Sequence, residues 1–224
     1  MSKHLQTEIE RLKKMILTLG ARVEESVRKA VTSIHLIDVE LAREVIERDI
    51  DIDQTEVEVE EECLKILALH QPVAIDLRFI IAALKINNDL ERIADLAVNV
   101  AERTAFLATQ PRISVPFDFP TMAQKAKTML KNSLDALVNM DAELAKKVCA
   151  SDDEVDAINR EMYEAVKDAI RQHPEWLDSL IHYLSVSRHI ERIADHATNI
   201  AEDVIYMVAG EIVRHRPEDY TRSA

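Results

Sequence analysis

Two acidic residue pairs with the same spacing stand 100 residues apart in the chain. Glu91 is followed four positions later by Asp95, and Glu191 is followed in the same way by Asp195. On a helix, where successive residues turn by about 100°, side chains four positions apart lie on one face. Two like charges at this spacing destabilise a helix by about 0.2–0.5 kcal/mol. Because the chain contains this arrangement twice, we expect a bound cation to offset the repulsion.

Each pair lies within a longer repeated segment. Residues 88–103 read NDLERIADLAVNVAER, residues 188–203 read RHIERIADHATNIAED, and the two agree at nine of 16 positions. Two further polar pairs recur on the same helix face, namely Asn99 with Asn199 and Glu102 with Glu202. These residues either extend the acidic sites or serve helix packing and the solvent surface. The sequence supports both interpretations equally.

The composition predicts an all-α protein. Only two of the 224 residues are glycine, and aromatic residues make up 4% of the chain. Sheet proteins need glycine in tight turns with positive φ, and strands favour aromatic and β-branched residues. Long helices joined by few tight turns are therefore expected.

The net charge and the apolar segments restrict the partners and the location. A formal charge of −13 repels phosphate backbones and anionic lipid headgroups, which disfavours nucleic acid and direct membrane binding. The N-terminus does not resemble a signal peptide, and no segment approaches 18 consecutive apolar residues. Cys63 and Cys149 are isolated from each other, which favours two buried thiols in a reducing cytoplasm.

Apolar spacing and capping residues predict three long helices in the first half. The first covers about residues 5–36, and Asp38 is the expected N-cap of a second helix that ends before Pro72. A third helix is expected from about Pro72 to about residue 107, since proline is tolerated in a first turn. Short connections between helices of equal length favour antiparallel packing.

The second half repeats this order. Asp141 corresponds to Asp38 at a shift of 103, and the same shift relates Asp49 to Asp152 and Asp53 to Asp156. Three of the six prolines lie within residues 109–121, which indicates a linker between the halves. We therefore predict two tandem three-helix bundles, with six long antiparallel helices related by duplication. The predicted boundaries are 1–110 and 121–216, with a linker at 111–120 and a frayed tail at 217–224.

Three segments of the chain resemble the signature of the PhoU proteins of bacterial phosphate signalling. They are residues 71–80 (QPVAIDLRFI), 84–95 (LKINNDLERIAD) and 188–202 (RHIERIADHATNIAE). The resemblance covers essentially the whole chain in length, duplication and motif order. It implies two three-helix bundles side by side, each with a metal-cluster site formed by two Glu/Asp-xxx-Asp motifs.

Carried over by position, the resemblance implies eight metal ligands. The first site would contain Asp49, Asp53, Glu91 and Asp95, and the second would contain Asp152, Asp156, Glu191 and Asp195. One acidic pair on a helix of an acidic protein is usually a solvated surface feature. The recurrence of two pairs in each half favours binding sites instead. Oxygen ligands suit Mg²⁺, Ca²⁺ or Mn²⁺, and carboxylate clusters also accept Fe or Zn, so the identity of the metal stays open.

Arginine follows the glutamate in both motifs. Arg92 and Arg192 are expected to pair within their own helices with Asp95 and Asp195, three positions later, rather than to bind an anion.

Three histidines recur every seven residues in the second half only. They lie on the side of the helix opposite the acids, which favours a packing or interface stripe over a metal site. The three are His182, His189 and His196, of which only His196 could turn toward the acids.

The resemblance also implies a regulatory role. Similar proteins link the phosphate-specific ABC transporter to a sensor histidine kinase and restrain the phosphate-starvation response. We therefore expect a cytoplasmic, non-enzymatic negative regulator that meets the transporter's ATPase subunit and the kinase at the inner membrane through protein contacts. A homodimer is among the assemblies that this interpretation allows.

Two other classes of function are retained. A metal-dependent hydrolase or phosphatase using the carboxylate clusters is the main alternative, and a scaffold whose acids are only surface residues is the third. The sequence contains no Gly-rich phosphate loop, GxSxG, HExxH or Glu-x-x-His motif, which disfavours the enzyme classes that depend on them.

Overall fold

The computed structural model describes residues 3–114 and 118–210, which form helices and their connections. The helices are α1 (Lys3–Leu36), α2 (Val39–His70), α3 (Ala74–Leu107), α4 (Phe119–Asn139), α5 (Ala142–Ala150), α6 (Asp152–Gln172) and α7 (Leu177–Ala209), with a 3₁₀ turn at Pro174–Trp176. These two ranges contain no strand, which confirms the all-α prediction. None of the helices described in them is long and apolar enough to cross a membrane.

The predicted six-helix order is confirmed, but the fifth helix is broken into α5 and α6 at Ser151. The Ser151 hydroxyl donates to the carbonyl of Lys147 at 2.8 Å, and its N–H donates to the carbonyl of Val148 at 3.0 Å. Such back-bonding tightens the turn and bends the helix. Asp152 then begins α6, whose first turn is acidic and so complements the helix dipole.

The predicted aspartate caps are confirmed in both halves. Asp38 accepts the N–H of Leu41 at 3.0 Å and so begins α2. Asp141 accepts the N–H groups of Glu143 at 3.0 Å and Leu144 at 2.9 Å and so begins α5. Both carboxylates satisfy N–H groups that have no partner within the helix.

Two helix starts differ from the sequence prediction by two residues. Gln71 ends α2 in the left-handed region, at φ 45°, and Val73 is extended, so α3 begins at Ala74 rather than at Pro72. α4 begins at Phe119, inside the predicted linker, because Asp118 caps it.

Residues 115–117 of the linker and the tail at 217–224 lie outside the described residues. The predicted domain boundaries therefore stay predictions.

The helices form two bundles around one continuous core. α1, α2 and α3 pack against one another, as do α4 to α7, and the main contact between the bundles joins α3 to α7. Fully buried side chains from both halves, such as Leu12, Ile80 and Met162, belong to the same apolar cluster. α1 and α4 approach closely at Gly20, where an added Cβ would lie 2.8 Å from Cδ2 of Leu134.

Polar pairs fix the register of α3 against α7. Lys85 Nζ lies 3.2 Å from Oδ1 of Asp203, which is only 2% exposed. Further along α3, Oδ1 of Asp89 accepts a hydrogen bond from Nδ1 of His196 at 2.8 Å. Because the residue numbers rise along α3 as they fall along α7, the two helices run antiparallel.

The predicted histidine stripe lies in this contact between α3 and α7. The ring of His182 stacks on Phe106 of α3, with ring centroids 3.7 Å apart. Burial, with the nearby positive charge of Arg103, lowers the pKa of His189 to about 4. Together with the bond from His196 to Asp89, these contacts confirm the interface interpretation.

Replacing Lys85 by alanine tests the contact between the bundles. Lys85→Ala leaves the buried Asp203 carboxylate without this cation, so we expect the free energy of unfolding in urea to fall by about 1–3 kcal/mol. The estimate is reduced from that of a fully buried pair because the Lys85 side chain is 40% exposed. Lys167→Ala is the matched control, since its pair with Glu164 is exposed on both sides and should contribute about 0–1 kcal/mol. Equal effects of the two substitutions would contradict the prediction.

Candidate metal centres

The first acidic site consists of Asp49 and Asp53 on α2 and of Glu91 and Asp95 on α3. Burial, and after it the charges of Asp53, Asp95 and Glu91, together raise the pKa of Asp49 to about 6. Burial raises the pKa of Glu91 as well, with Asp95 the next largest cause. Charges act this strongly on one another only over short distances. The two helices therefore bring all four predicted carboxylates of this site together.

Two oxygens of the first acidic site have no hydrogen-bond partner within residues 3–114 and 118–210. Oδ1 of Asp49 and Oε2 of Glu91 are buried and accept no hydrogen bond from these residues. Nε of Arg92 lies 3.4 Å from Oε2 of Glu91, but not in hydrogen-bonding geometry. A buried polar atom left in this state costs about 1–3 kcal/mol, and more if it is charged. These two buried oxygens, one on α2 and one on α3, are donor atoms of the kind that a hard cation prefers.

The acidic side chains do not surround a common position at which one metal ion could bind. Within the described part of the chain, no three His, Cys, Asp or Glu side chains are arranged to hold one ion. Repulsion among neighbouring carboxylates favours such a spread arrangement. Asp53 is exposed while Asp49 and Glu91 are half-buried. Binding one ion therefore requires the carboxylates to rotate toward each other.

Arg92 behaves as the sequence predicts. Its guanidinium lies 3.6 Å from Oδ2 of Asp95, three positions further along α3. Its equivalent, Arg192, makes no ion pair with Asp195 among the described residues, although its charge helps to lower the pKa of Glu191 against the effect of burial. Neither arginine separates the acids from solvent, since both are exposed.

The structure adds Glu56 to the first acidic site. The charge of Glu56 raises the pKa of Glu91. Asn87 of α3 donates to Oε1 of Glu56 at 2.8 Å and to its carbonyl oxygen at 3.0 Å, which orients the carboxylate. The sequence could have indicated Glu56 as a member of this site, because it follows Asp53 by three residues and lies on the same face of α2.

The second acidic site lies between α6 and α7 and contains Asp152, Asp156, Glu191 and Asp195. Burial, and after it the charges of Glu191, Asp152 and Asp156, together raise the pKa of Asp195 to about 6. The pKa of Asp152 is raised by burial and by Asp156, against a hydrogen bond of 3.3 Å from the Thr198 hydroxyl. The four predicted residues of the second half are therefore also brought together.

The two acidic sites differ in charge. At the position of Glu56 the second half has Asn159. Burial raises the pKa of Glu191, and the hydrogen bond from the Asn159 amide opposes that rise. Ser187, at the position of Asn87, donates to Oδ1 of Asn159 at 2.6 Å. The first acidic site thus has a carboxylate at the position where the second has a neutral amide.

Asn99 and Asn199 serve packing rather than the acidic sites. Asn99 Nδ2 donates to the carbonyl of Asp95 within α3 at 2.8 Å. Asn199 Nδ2 donates to Oδ1 of Asp89 across the contact between α3 and α7 at 3.2 Å. Of the two interpretations that the sequence leaves open, the structure favours the packing role.

Comparison with known proteins identifies the family. The family model described as "PhoU domain" matches the chain twice, at residues 16–104 and 119–204. The chain belongs to the PhoU family. Both PhoU matches contain one complete acidic site, since each covers the α2 and α3 positions or their equivalents in α6 and α7.

Relatives and solved structures of the PhoU family match the chain over nearly its whole length. The "Phosphate-specific transport system accessory protein PhoU homolog" of Aquifex aeolicus is 39% identical, over 93% of this chain and 95% of its own. The protein of the same name from Pseudomonas putida is 39% identical, over 96% of this chain and 84% of its own. The crystal structure of PhoU from Pseudomonas aeruginosa superposes with a TM-score of 0.88 at 35% identity, covering 92% of this chain and 99% of that chain. The PhoU from Streptococcus pneumoniae, titled a phosphate transport system regulatory protein, has a TM-score of 0.85 at 28% identity, covering 93% and 99%.

The raised pKa of Asp49 predicts how stability of the metal-free protein depends on pH. Because burial raises this pKa from 3.8 to about 6, the native state binds a proton more tightly than the unfolded state. Stability therefore falls as pH rises from about 4 to about 6 and stays lower above that range. Asp49→Asn removes the penalty and should stabilise the chelator-treated protein by about 1 kcal/mol at pH 7.5, with little effect at pH 4.5.

Thermal unfolding at both pH values checks this expectation. Asp51→Asn is the matched control, because Asp51 lies two residues away on α2 and is exposed. It should change the midpoint at neither pH. A loss of stability in Asp49→Asn at pH 7.5 would show that the carboxylate is not under electrostatic strain.

Proposed function

We propose that this protein is a metal-binding regulator of phosphate uptake and signalling. In this proposal it acts in the cytoplasm as a negative regulator of the phosphate-starvation response. It links the ATPase subunit of the phosphate ABC transporter to a sensor histidine kinase, and it reaches the inner membrane only through these protein partners. The names of the PhoU relatives, which describe accessory and regulatory proteins of phosphate transport, support the phosphate part of this proposal.

The observation that carries the metal-binding part is the pair of half-buried carboxylate clusters. Each cluster is held by two helices of one bundle, and burial raises the pKa of one aspartate in each to about 6. In the first acidic site, Oδ1 of Asp49 and Oε2 of Glu91 are buried without a hydrogen-bond partner among the described residues. A bound cation would remove the repulsion and supply the missing partner.

The ligand set would be Asp49, Asp53, Glu91 and Asp95 in one bundle and Asp152, Asp156, Glu191 and Asp195 in the other. Carboxylate oxygens suit Mg²⁺ and Mn²⁺, and clusters of them also bind Fe or Zn. When bound, the metal would supply positive charge that joins the two helices of each site. The chain's own residues orient two of these ligands, through Asn159 on Glu191 and Thr198 on Asp152. Asn87 orients the neighbouring carboxylate of Glu56.

Metal binding is tested by elemental analysis of protein purified without chelator or affinity-tag metal. We expect metal in the wild-type protein, and a lower melting temperature after chelation, because a ligand of the native state stabilises it by mass action. Asp49→Asn combined with Asp53→Asn should remove metal from the first acidic site and leave that of the second. If neither chelator nor substitution changes metal content or stability, the acids are ordinary surface residues.

The regulatory role is tested by deleting the gene in its host. Phosphate-scavenging genes should then be expressed in phosphate-rich medium, and the protein should co-purify with the transporter's ATPase subunit or with the kinase. Normal repression in the deletion strain, with neither partner recovered, would contradict the regulatory proposal. Hydrolysis of phosphate esters by the metal-loaded protein, lost in the Asp49→Asn and Asp53→Asn variant, would instead favour the metal-dependent hydrolase or phosphatase.

A further inference from the structure

A narrow row of aliphatic side chains runs along the outer face of α2. We call it the α2 apolar stripe, and it consists of Val39, Ile46, Ile50, Val57 and Leu64. Each of the five is exposed, Ile50 to 65%, Leu64 to 53% and Val57 to 50%. At about 100° per residue all five lie within about 20° of one line on the helix surface. From first to last the stripe is about 37 Å long.

The duplicated fold does not require this stripe. At the equivalent face of the second half, the positions of Ile50, Val57 and Leu64 are occupied by Asp153, Arg160 and Lys167, all exposed. The helix does not require it either, because valine and isoleucine are weaker helix formers than glutamate, lysine and arginine. Single exposed apolar residues are common on protein surfaces, but an aligned row of five marks an interaction surface.

The border of the α2 apolar stripe is strongly acidic. Exposed carboxylates line both of its edges, and they are Glu47, Glu58 and Glu61 on one side with Asp53 and Glu60 on the other. The two basic residues at this border are already paired with glutamates of α2, Arg43 with Glu40 at 3.4 Å and Lys65 with Glu62 at 3.2 Å. A partner must therefore combine an apolar centre with basic edges.

We propose that the α2 apolar stripe is a docking surface for a basic amphipathic helix of another protein. A straight, narrow row over several turns matches the apolar face of one helix, and lysine or arginine on the flanks of that helix would face the carboxylates. A second copy of this chain fits poorly, because a symmetric contact would bring the acidic borders together. An anionic membrane would be repelled for the same reason. None of the five apolar residues is a proposed metal ligand, although Asp53 belongs both to the border of the stripe and to the first acidic site.

The test uses the full-length protein and a labelled synthetic peptide. The peptide is a helix former of about five turns with leucine on one face and lysine and arginine on its flanks. Its affinity is measured by fluorescence anisotropy at about 0.15 M salt, where long-range charge effects are screened. A peptide of the same composition in scrambled order reports attraction by charge alone.

Paired substitutions localise the binding. Val57→Gln with Leu64→Gln should weaken binding of the amphipathic peptide about tenfold, because two apolar contacts are lost without a change of charge. Val138→Gln with Ile181→Gln is the matched control, since these residues are exposed to 54% and 51%, and it should leave the affinity unchanged. In the wild-type protein, the bound peptide should slow amide hydrogen exchange in residues 46–64 and not in residues 153–167.

Four results would overturn the proposal. Equal affinity of both double variants, or protection from exchange outside α2, would exclude the stripe as the binding surface. A wild-type dimer that light scattering finds dissociated by the Val57→Gln and Leu64→Gln variant would assign the stripe to a second copy. Binding to phosphatidylglycerol vesicles that the same variant abolishes would assign it to a membrane. Glutamine is a good helix former, and the exchange measurement needs no variant, so a folding defect cannot leave the proposal undecided.

Discussion

Packing of the apolar core holds two groups of half-buried carboxylates in place against their mutual repulsion. In the first acidic site burial, with the charges of Asp53 and Asp95, raises the pKa of Asp49 to about 6. The same arrangement recurs around Asp195 in the second bundle. The helices that carry these acids are anchored by a continuous apolar core, so core packing supplies the free energy that offsets the repulsion. A cation would convert both unfavourable clusters into contacts that join their helices.

The contact between α3 and α7 relates the two clusters to each other. Each of these helices carries the Glu-xxx-Asp motif of its own bundle, and their antiparallel register is fixed by two polar pairs. Asp89 lies two residues before Glu91, and its partner His196 directly follows Asp195. The hydrogen bond between Asp89 and His196 therefore joins the backbones that present the two acidic sites. A metal ion bound in either acidic site and a partner bound to α2 would all contact helices that pack against one another, since α2 contacts α3 and α3 contacts α7.

The sequence predicts most of this fold because local chemistry determines it. Scarce glycine, helical spacing of apolar residues, the prolines and the caps at Asp38 and Asp141 together indicate the helices and their order. The sequence did not predict the break at Ser151, because the equivalent residue in the first half is Arg48. The break is evident from the hydrogen bond that the Ser151 hydroxyl donates to the carbonyl of Lys147. Glu56 was not predicted as part of the site, because its equivalent in the second half is Asn159 and the prediction relied on acids that recur in both halves. The pairing of His196 with Asp89 depends on tertiary register, which neither helix encodes alone.

Anomalous X-ray scattering from crystals of the protein grown with Mn²⁺ tests the central claim most directly. The account predicts a metal peak in each acidic site, at about 2.0–2.6 Å from carboxylate oxygens of both contributing helices. In the first acidic site, Oδ1 of Asp49 and Oε2 of Glu91 should be among those oxygens. Peaks absent from both acidic sites, with the two oxygens hydrogen-bonded only to water, would contradict it.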